Sequence, residues 1–287
     1  MPLTLFFLTS CVRENATPCP PLQVNISVKD KNYFNTNDLD PAEYRNEGLA
    51  FREYVPTLFY ILRDAVTGKV MEEQGVFSIE DDAQTISITF CDCLPFGKYI
   101  LTVWGGLNDN STLDRESLTI ELHSVNQEGT DSYLTNDTLV YNEDNYTYAV
   151  DLERTKGKLI IQTENLPAEF NFSEKNIEGL FHYIDPGFNY SGTTTVLTQT
   201  SLGRSSIVET KTMLAPSPKE NAVKIGIDLY NRSDLTTPVL TSATVNTTIK
   251  RNELTLLKYV FNKDTQDFTI YIYLNDSWNI IYDMDIN

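Results

Sequence analysis

Short stretches in which apolar and polar residues alternate recur along this chain, and no long stretch has the three-to-four-residue spacing of apolar positions that marks a helix. Clear cases are residues 24–28, 86–90, 223–229 and 268–274. Successive side chains of a strand point to opposite faces, so this period of two indicates strands with one buried face. Turn-forming residues separate the stretches. We therefore predict an all-β protein built of β-sandwiches.

The length of the chain fits two such sandwiches. It has 287 residues, which is long for one small domain and sufficient for two. The alternation stops over a polar stretch at residues 129–146 and starts again at Tyr148. We therefore predict a tether at residues 1–21, an N-terminal sandwich at 22–148 and a C-terminal sandwich at 149–287.

The charge of the chain argues against nucleic acid as a partner. The net charge is −18, and no cluster of Lys and Arg interrupts the acidic sequence. Proteins that bind nucleic acids need a basic surface, because contacts with phosphates supply much of their affinity. The acidity is typical of a soluble surface that repels its own copies.

The sequence offers little for catalysis. It has two histidines, His123 and His182, and they lie far apart in sequence. The motifs G-x-S-x-G, H-E-x-x-H and the P-loop are all missing from it. A pair of carboxylates, as in glycosidases, stays open as an alternative, because forty acidic residues produce many chance pairs. We predict no enzyme activity, no cofactor and no metal site.

The first residues resemble the end of a bacterial lipoprotein signal. An apolar run at residues 3–8 is followed by Leu-Thr-Ser-Cys, which ends at Cys11. In this resemblance Cys11 becomes the lipid-carrying N-terminus, and the Pro-rich stretch 12–21 is a tether. No Lys or Arg precedes the run, which departs from the usual signal. The alternative is a first buried strand.

The chain has three more cysteines, Cys19, Cys91 and Cys93, whose chemistry depends on the cellular compartment of the protein. Export would place them where disulfides persist. Cys91 and Cys93 lie two apart on a predicted strand and point to one face, so they are poorly placed to bond each other. One of them is therefore a candidate to bond Cys19. Zinc is the alternative, but neither histidine lies near this pair in sequence.

A distinctive segment begins with Leu-Pro-Phe-Gly-Lys-Tyr at residues 94–99 and continues with Val-Trp-Gly-Gly-Leu at 103–107. We predict that Pro95 and Gly97 set a tight turn between two strands. A large ring such as Trp104 suits the core of a sandwich. Gly105 and Gly106 allow the strand to end with backbone angles that residues with a side chain rarely adopt. We interpret the segment as architectural and not as a ligand site.

The order of these features resembles the fimbrillin-associated anchor family, the minor anchor subunits of type V fimbriae in Gram-negative bacteria. The lipobox-like cysteine, the turn-and-tryptophan segment and the strands after it carry the resemblance, which spans most of the chain. It implies a non-enzymatic lipoprotein with two tandem transthyretin-like β-sandwich domains. It also implies attachment of a fimbrial shaft to the outer membrane through the lipid on Cys11, with the protein facing the cell surface.

In the resembled family, subunits join when one donates a strand to its neighbour. The partner implied here is a fimbrial shaft subunit, joined by strand addition. The candidate partner strand is the apolar C-terminal run, with Trp278, Ile280, Tyr282, Met284 and Ile286. The alternative is that this run is the last core strand of the second domain. The alternative function is a surface lipoprotein that binds carbohydrate or a host protein.

Overall fold

The computed structural model of the chain confirms the all-β prediction. It describes residues 20–39, 41–90, 94–203, 205–231, 236–274 and 277–282. The helices in these ranges are short: α1 (Thr36–Leu39), α2 (Phe51–Tyr54) and two 3₁₀ turns (Pro41–Glu43 and Ser124–Asn126). None of these helices has the length and hydropathy needed to cross a membrane.

The first sheet has seven strands. They are β1 (Gln23–Val28), β2 (Thr57–Asp64), β3 (Val70–Ser78), β4 (Ile86–Thr89), β5 (Gly97–Gly105), β7 (Tyr133–Tyr141) and β8 (Thr147–Arg154). Their order is β3-β2-β5-β7-β8-β1-β4. The pairs are antiparallel except β1 with β8, which is parallel.

This sheet folds over on itself to make a sandwich. Strands β7 and β8 share only the pairs Tyr133–Arg154 and Leu134–Glu153, so the sheet turns a corner there. Val24 of β1 and Leu101 of β5 lie far apart in the strand order yet belong to one buried cluster. The alternating apolar residues that predicted β1 therefore form one wall of this core.

The second sandwich has two sheets. Its strands are β6 (Ile120–Glu121), β9 (Gly157–Glu164), β10 (Phe172–Ile184), β11 (Tyr190–Ser201), β12 (Ile207–Leu214), β13 (Val223–Tyr230), β14 (Leu240–Thr241), β15 (Val245–Thr247), β16 (Leu254–Asn262), β17 (Asp267–Leu274) and β18 (Ser277–Tyr282). One sheet has the order β11-β10-β13-β14, with β15 on β13 and β6 on β10. The other has the order β12-β9-β16-β17-β18.

The change from one sandwich to the other lies later than we predicted. A boundary near residue 148 would give β8 to the second domain, but β8 pairs with β1 and β7 of the first sheet. The chain enters the second sandwich at Gly157, after Thr155 and Lys156. The restart of the alternation at Tyr148 marked a new strand correctly, but the sequence does not say with which sheet that strand pairs.

Besides the core inside the first sandwich, the two sandwiches share a second hydrophobic core that reaches across their junction. Trp104 on the outer face of the first sheet belongs to the same buried cluster as Ile225 and Ile270 of the second sandwich. Leu118 and Ile120, from the segment that joins β5 to β7, complete the contact. This segment also adds β6 to β10 of the second sandwich. The domains are therefore joined by packing as well as by the chain.

Candidate functional site

The tryptophan of the distinctive segment lies inside the protein. Trp104 is fully buried, and its Nε1–H donates a hydrogen bond to the carbonyl oxygen of Leu118 at 3.1 Å. Its ring therefore fills the junction between the two sandwiches and offers no face to a ligand.

The two glycines after Trp104 lie where a side chain has no room. A Cβ on Gly105 would come within 2.5 Å of a Val55 methyl group. Gly106 has φ +77°, and a Cβ on it would lie 2.1 Å from the carbonyl oxygen of Asp131. At the other end of the strand, Tyr99 donates its hydroxyl hydrogen to the carbonyl oxygen of Pro95, and Gly97 begins β5.

Several residues singled out from the sequence lie outside the described residues. They are the lipidation candidate Cys11, the disulfide candidates Cys19, Cys91 and Cys93, and the C-terminal positions Met284 and Ile286.

The rest of the C-terminal run forms β18, at the edge of the five-stranded sheet. Among the described strands, β18 pairs with β17 alone. Ile280 is 57% exposed and Ile281 is 41% exposed. The described part of the run is therefore the last strand of this sheet, with Trp278 packed against a buried cluster and both isoleucines exposed. On its outer side, the backbone N–H and C=O groups of β18 pair with no other described strand. The strand carries exposed aliphatic side chains and no charged residue.

Aromatic packing holds β18 on the sheet. Trp278 lies opposite Tyr273 of β17, and their ring centroids are 5.2 Å apart in an edge-to-face arrangement. The Lys258 ammonium lies 4.6 Å from the centre of the Trp278 ring, within reach of a cation–π interaction. Trp278 thus fixes the start of the strand, and Ile280 and Ile281 project beyond this anchor.

A groove opens beside the end of β17. Its volume is about 590 Å³, and its lining combines apolar residues such as Leu254 and Ile272 with charged ones, Glu220, Lys250 and Glu253. Leu274 is 50% exposed and pairs with Ser277, the first residue of β18. The open edge and the groove therefore lie at the same end of the sheet, where β17 ends and β18 begins.

Two other long sheet edges carry charges that oppose the addition of a strand. Strand β3 has Glu72 and Glu73, and β12 has Glu209 and Lys211, the latter paired with Glu43 at 2.6 Å. Charged side chains on an edge protect it, because an incoming strand would have to desolvate them. Strand β18 has no such protection.

The buried ionisable groups of the junction serve structure. His123 is fully buried; its Nε2 accepts a hydrogen bond from the Ala215 amide, and its Nδ1–H donates to the carbonyl oxygen of Gln127. Burial, with a smaller effect of the Lys156 ammonium, lowers the pKa of His123 to about 3. The ring is therefore neutral at pH 7, with both nitrogens occupied.

Lys156, in the link between the sandwiches, is equally inaccessible. Its ammonium donates to the carbonyl oxygens of Leu122 and Glu128, and burial lowers its pKa to about 8. Sequence reasoning did not single out Lys156, because a lone lysine gives no local sign that it will be buried. In the part of the chain that the structure describes, no group of three His, Cys, Asp or Glu side chains is spaced to hold a metal ion.

Comparison with known proteins shows which solved structures share this fold. No protein-family profile and no curated sequence matches the chain. A candidate adhesin from Bacteroides ovatus superimposes with a TM-score of 0.58 at 13% identity, over 96% of this chain and 98% of the other. A candidate polysaccharide-binding protein from Bacteroides thetaiotaomicron gives 0.59 at 10% identity, over 91% and 98%.

The fimbrial anchor protein Mfa2 from Porphyromonas gingivalis gives a TM-score of 0.52 at 13% identity, over 92% of this chain and all of Mfa2. The likeness in each case covers both sandwiches and not one shared domain. The fold implied by the resemblance to the anchor family is therefore the fold of this chain.

Proposed function

We propose that this chain, which shares its fold with a fimbrial anchor protein and with candidate adhesins, is a non-enzymatic adhesion or fimbrial-assembly protein of the bacterial cell surface. The descriptions of the similar structures support this role. Of the two histidines, His123 has no free nitrogen to act as a base, and His182 is paired through Nε2 with Glu121 at 2.8 Å. The protein acts by making contacts with other proteins.

The contact we propose is the addition of a partner strand to β18. The observation that carries it is the uncharged open edge with Ile280 and Ile281 exposed beyond the Trp278 anchor. Main-chain hydrogen bonds to the edge would supply affinity, and side-chain pockets would supply specificity. The partner is a fimbrial shaft subunit, as the family resemblance implies.

The surroundings of β18 specify the partner strand. Its side chains on one face would meet Ile280, and those on the other would approach the groove at Leu274 and Thr247. A strand with aliphatic residues on the face toward Ile280 fits these surroundings best, because burial of apolar surface provides the driving force, and polar residues suit the face toward the groove. A charged residue at the centre of such a strand would oppose the addition.

The attachment that we propose is a lipid on Cys11 in the outer membrane, followed by the tether at residues 12–21. The support is the lipobox-like sequence. The variant Cys11→Ala, expressed in the source bacterium, should move from the membrane fraction to the soluble fraction. A variant that stays in the membrane fraction would contradict lipid attachment at this residue and leave strand addition untouched.

The test of strand addition uses Ile280→Lys, with the purified fimbrial shaft subunit of the same bacterium as probe. We expect at least a tenfold rise in the dissociation constant, because a lysine at the centre of the edge must be desolvated when a strand is added. The matched control is Val66→Lys, which replaces another exposed aliphatic residue, in the link between β2 and β3 of the first sandwich. Binding by the Ile280 variant that equals wild type would contradict the proposal.

A second candidate function is the binding of polysaccharide, which the description of one similar structure supports. The half-buried Trp278 beside Tyr273 and Lys258 provides an aromatic surface on which a sugar ring could stack. A glycan array separates the two functions. A signal that disappears in Trp278→Ala and persists in Ile280→Lys would favour polysaccharide over strand addition.

A further inference from the structure

A second edge of the C-terminal sandwich is also unprotected. Strand β11 has 12 residues and is the outermost strand of its sheet. It contains five threonines and no charged residue. It lies within residues 186–203, the longest stretch of the chain without Asp, Glu, Lys or Arg. Such a stretch is unexpected in a chain of net charge −18.

The side chains of β11 suit pairing with another strand. Val196 is fully buried and fixes the strand against the core, whereas Leu197 is 44% exposed. Threonine is a β-branched residue that favours strands and packs across a ladder. Neither a charge nor a proline on β11 blocks an incoming strand, although these are the usual devices that protect an edge.

We propose that β11 is a self-association edge, at which β11 of a second copy of this chain pairs antiparallel about a twofold axis. A twofold contact brings the same surface of both copies together, so the surface must be complementary to itself. An uncharged strand meets this condition, because no charged residue of β11 faces its own like charge in the partner. The proposal is independent of the contact at β18.

The acidity of the chain limits where two copies can meet, and β11 is such a place. The nearest carboxylates on the sheet are Glu174 and Glu178 of the neighbouring β10. In the paired dimer, two β11 strands would separate the β10 strands of the copies. Three strand spacings keep the carboxylates of opposite copies about 14 Å apart. This distance exceeds the screening length of about 8 Å at physiological salt, so little local repulsion remains.

This arrangement predicts an unusual salt dependence. Low salt lengthens the screening distance and lets the acidic copies repel each other, so the dimer should weaken as salt is removed. An interface built on ion pairs would respond in the opposite way. One pair of strands buries less surface than stable dimers usually do, so we expect reversible association at micromolar or higher concentration.

Strand β11 and strand β18 lie on opposite sides of the sandwich. Strand β11 continues into β12 after a short link, and β12 is the first strand of the sheet in which β18 is the last. A partner on β18 would therefore leave β11 accessible. The protein can associate with itself and hold a partner at the same time.

Sedimentation equilibrium of the whole chain at rising concentration, in 150 mM and 15 mM salt, tests the proposal. We expect a monomer–dimer equilibrium that is weaker in the lower salt. The double variant Thr193→Lys/Leu197→Lys should raise the dimer dissociation constant at least tenfold. The control Val70→Lys, at an exposed position of the edge strand β3, should leave it unchanged.

Hydrogen exchange locates the contact. Amides of β11 should become protected as the concentration rises, whereas those of β3 and β18 should not. A chain that stays monomeric at about 500 µM would overturn the proposal, and so would a dimer that keeps its affinity in the double variant. Circular dichroism of the variant establishes that it is folded, so that a lost dimer reports on the edge and not on the fold.

Discussion

The guanidinium group of Arg154, in the last strand of the first sandwich, donates a hydrogen bond from Nη1 to Oδ1 of Asn252 in the second sandwich at 2.5 Å. Arg154 is 2% exposed. Its Nε lies 3.0 Å from a carboxylate oxygen of Asp131, and its guanidinium carbon lies 4.2 Å from the centre of the Tyr33 ring. A buried, paired charge thus joins the two sandwiches beside the hydrophobic core that they share.

Arg154→Met should destabilise the protein by about 3 kcal/mol. It removes the buried cation, so the Asn252 oxygen loses its Arg154 donor, and the Asp131 carboxylate loses its ion pair while it keeps the Tyr133 hydroxyl as a donor. Urea unfolding monitored by tryptophan fluorescence measures the change. Lys250→Ala, which removes a largely exposed ion pair with Glu253, is the control and should cost less than about 1 kcal/mol. Equal losses in the two variants would contradict a special role for the buried pair.

Gly106→Ala and Gly68→Ala form a matched pair. Both glycines have positive φ, +77° and +71°, so an alanine at either position costs about 1–2 kcal/mol in backbone strain. At Gly68 no atom lies within 4 Å of the added Cβ, whereas at Gly106 the Asp131 carbonyl oxygen lies 2.1 Å away. The alanine at position 106 should therefore cost about 1–3 kcal/mol more. Thermal unfolding of the two variants tests this order.

His123 should make the protein sensitive to acid. Its pKa is about 3 in the folded protein and 6.5 when unfolded, so between these values the unfolded chain binds one proton more. The contribution of the neutral His123 to the free energy of unfolding is therefore fully present above about pH 6.5, and it decreases as the pH falls. The loss should reach about 2 kcal/mol at pH 5.

The variant His123→Gln isolates this contribution. The difference in unfolding free energy between wild type and variant should shrink by about 2 kcal/mol from pH 7 to pH 5, because only the wild type loses the histidine effect. Urea unfolding at both pH values provides the measurement. A difference that does not change with pH would show that His123 titrates normally in the folded protein.

The ends of β1 and β4 lie side by side, next in sequence to three of the cysteines. Gln23 lies opposite Thr89, and the Phe90 amide donates to the carbonyl oxygen of Leu22. In the sequence Cys19 precedes Leu22 by three residues, and Cys91 and Cys93 follow Phe90 by one and three. We predict that Cys19 bonds Cys91 or Cys93 in the exported protein. Peptide mapping by mass spectrometry without reduction tests it, and a Cys91–Cys93 peptide or a free Cys19 would contradict it.

The strands were the most predictable part of this protein. Val24 and Ile26 of β1, or Ile225 and Ile227 of β13, alternate with polar residues because one face of each strand meets a core, and that pattern is visible in a short window of sequence. The partner of a strand is not visible there. The parallel pairing of β8 with β1 joins residues more than a hundred positions apart, and for this reason the predicted boundary at 148 was misplaced.

The C-terminal run shows the same difference between what the sequence predicts and what the structure decides. Its alternation predicted a strand, and the sequence left open whether that strand belongs to the core or to a surface. Burial depends on what packs against both faces and both edges of a strand. The structure provides only β17 as a neighbour among the described strands, and Ile280 is left exposed.

The sequence by itself determined that this chain would build strands, and the spacing of apolar residues was sufficient because a strand places its side chains on alternate faces. Only the tertiary structure decided that Arg154 and Lys156 would be buried between two sandwiches and that β11 and β18 would be open edges. These properties depend on contacts between distant parts of the chain, where long-range packing and not local pattern sets which charges lose water and which backbone groups stay unpaired.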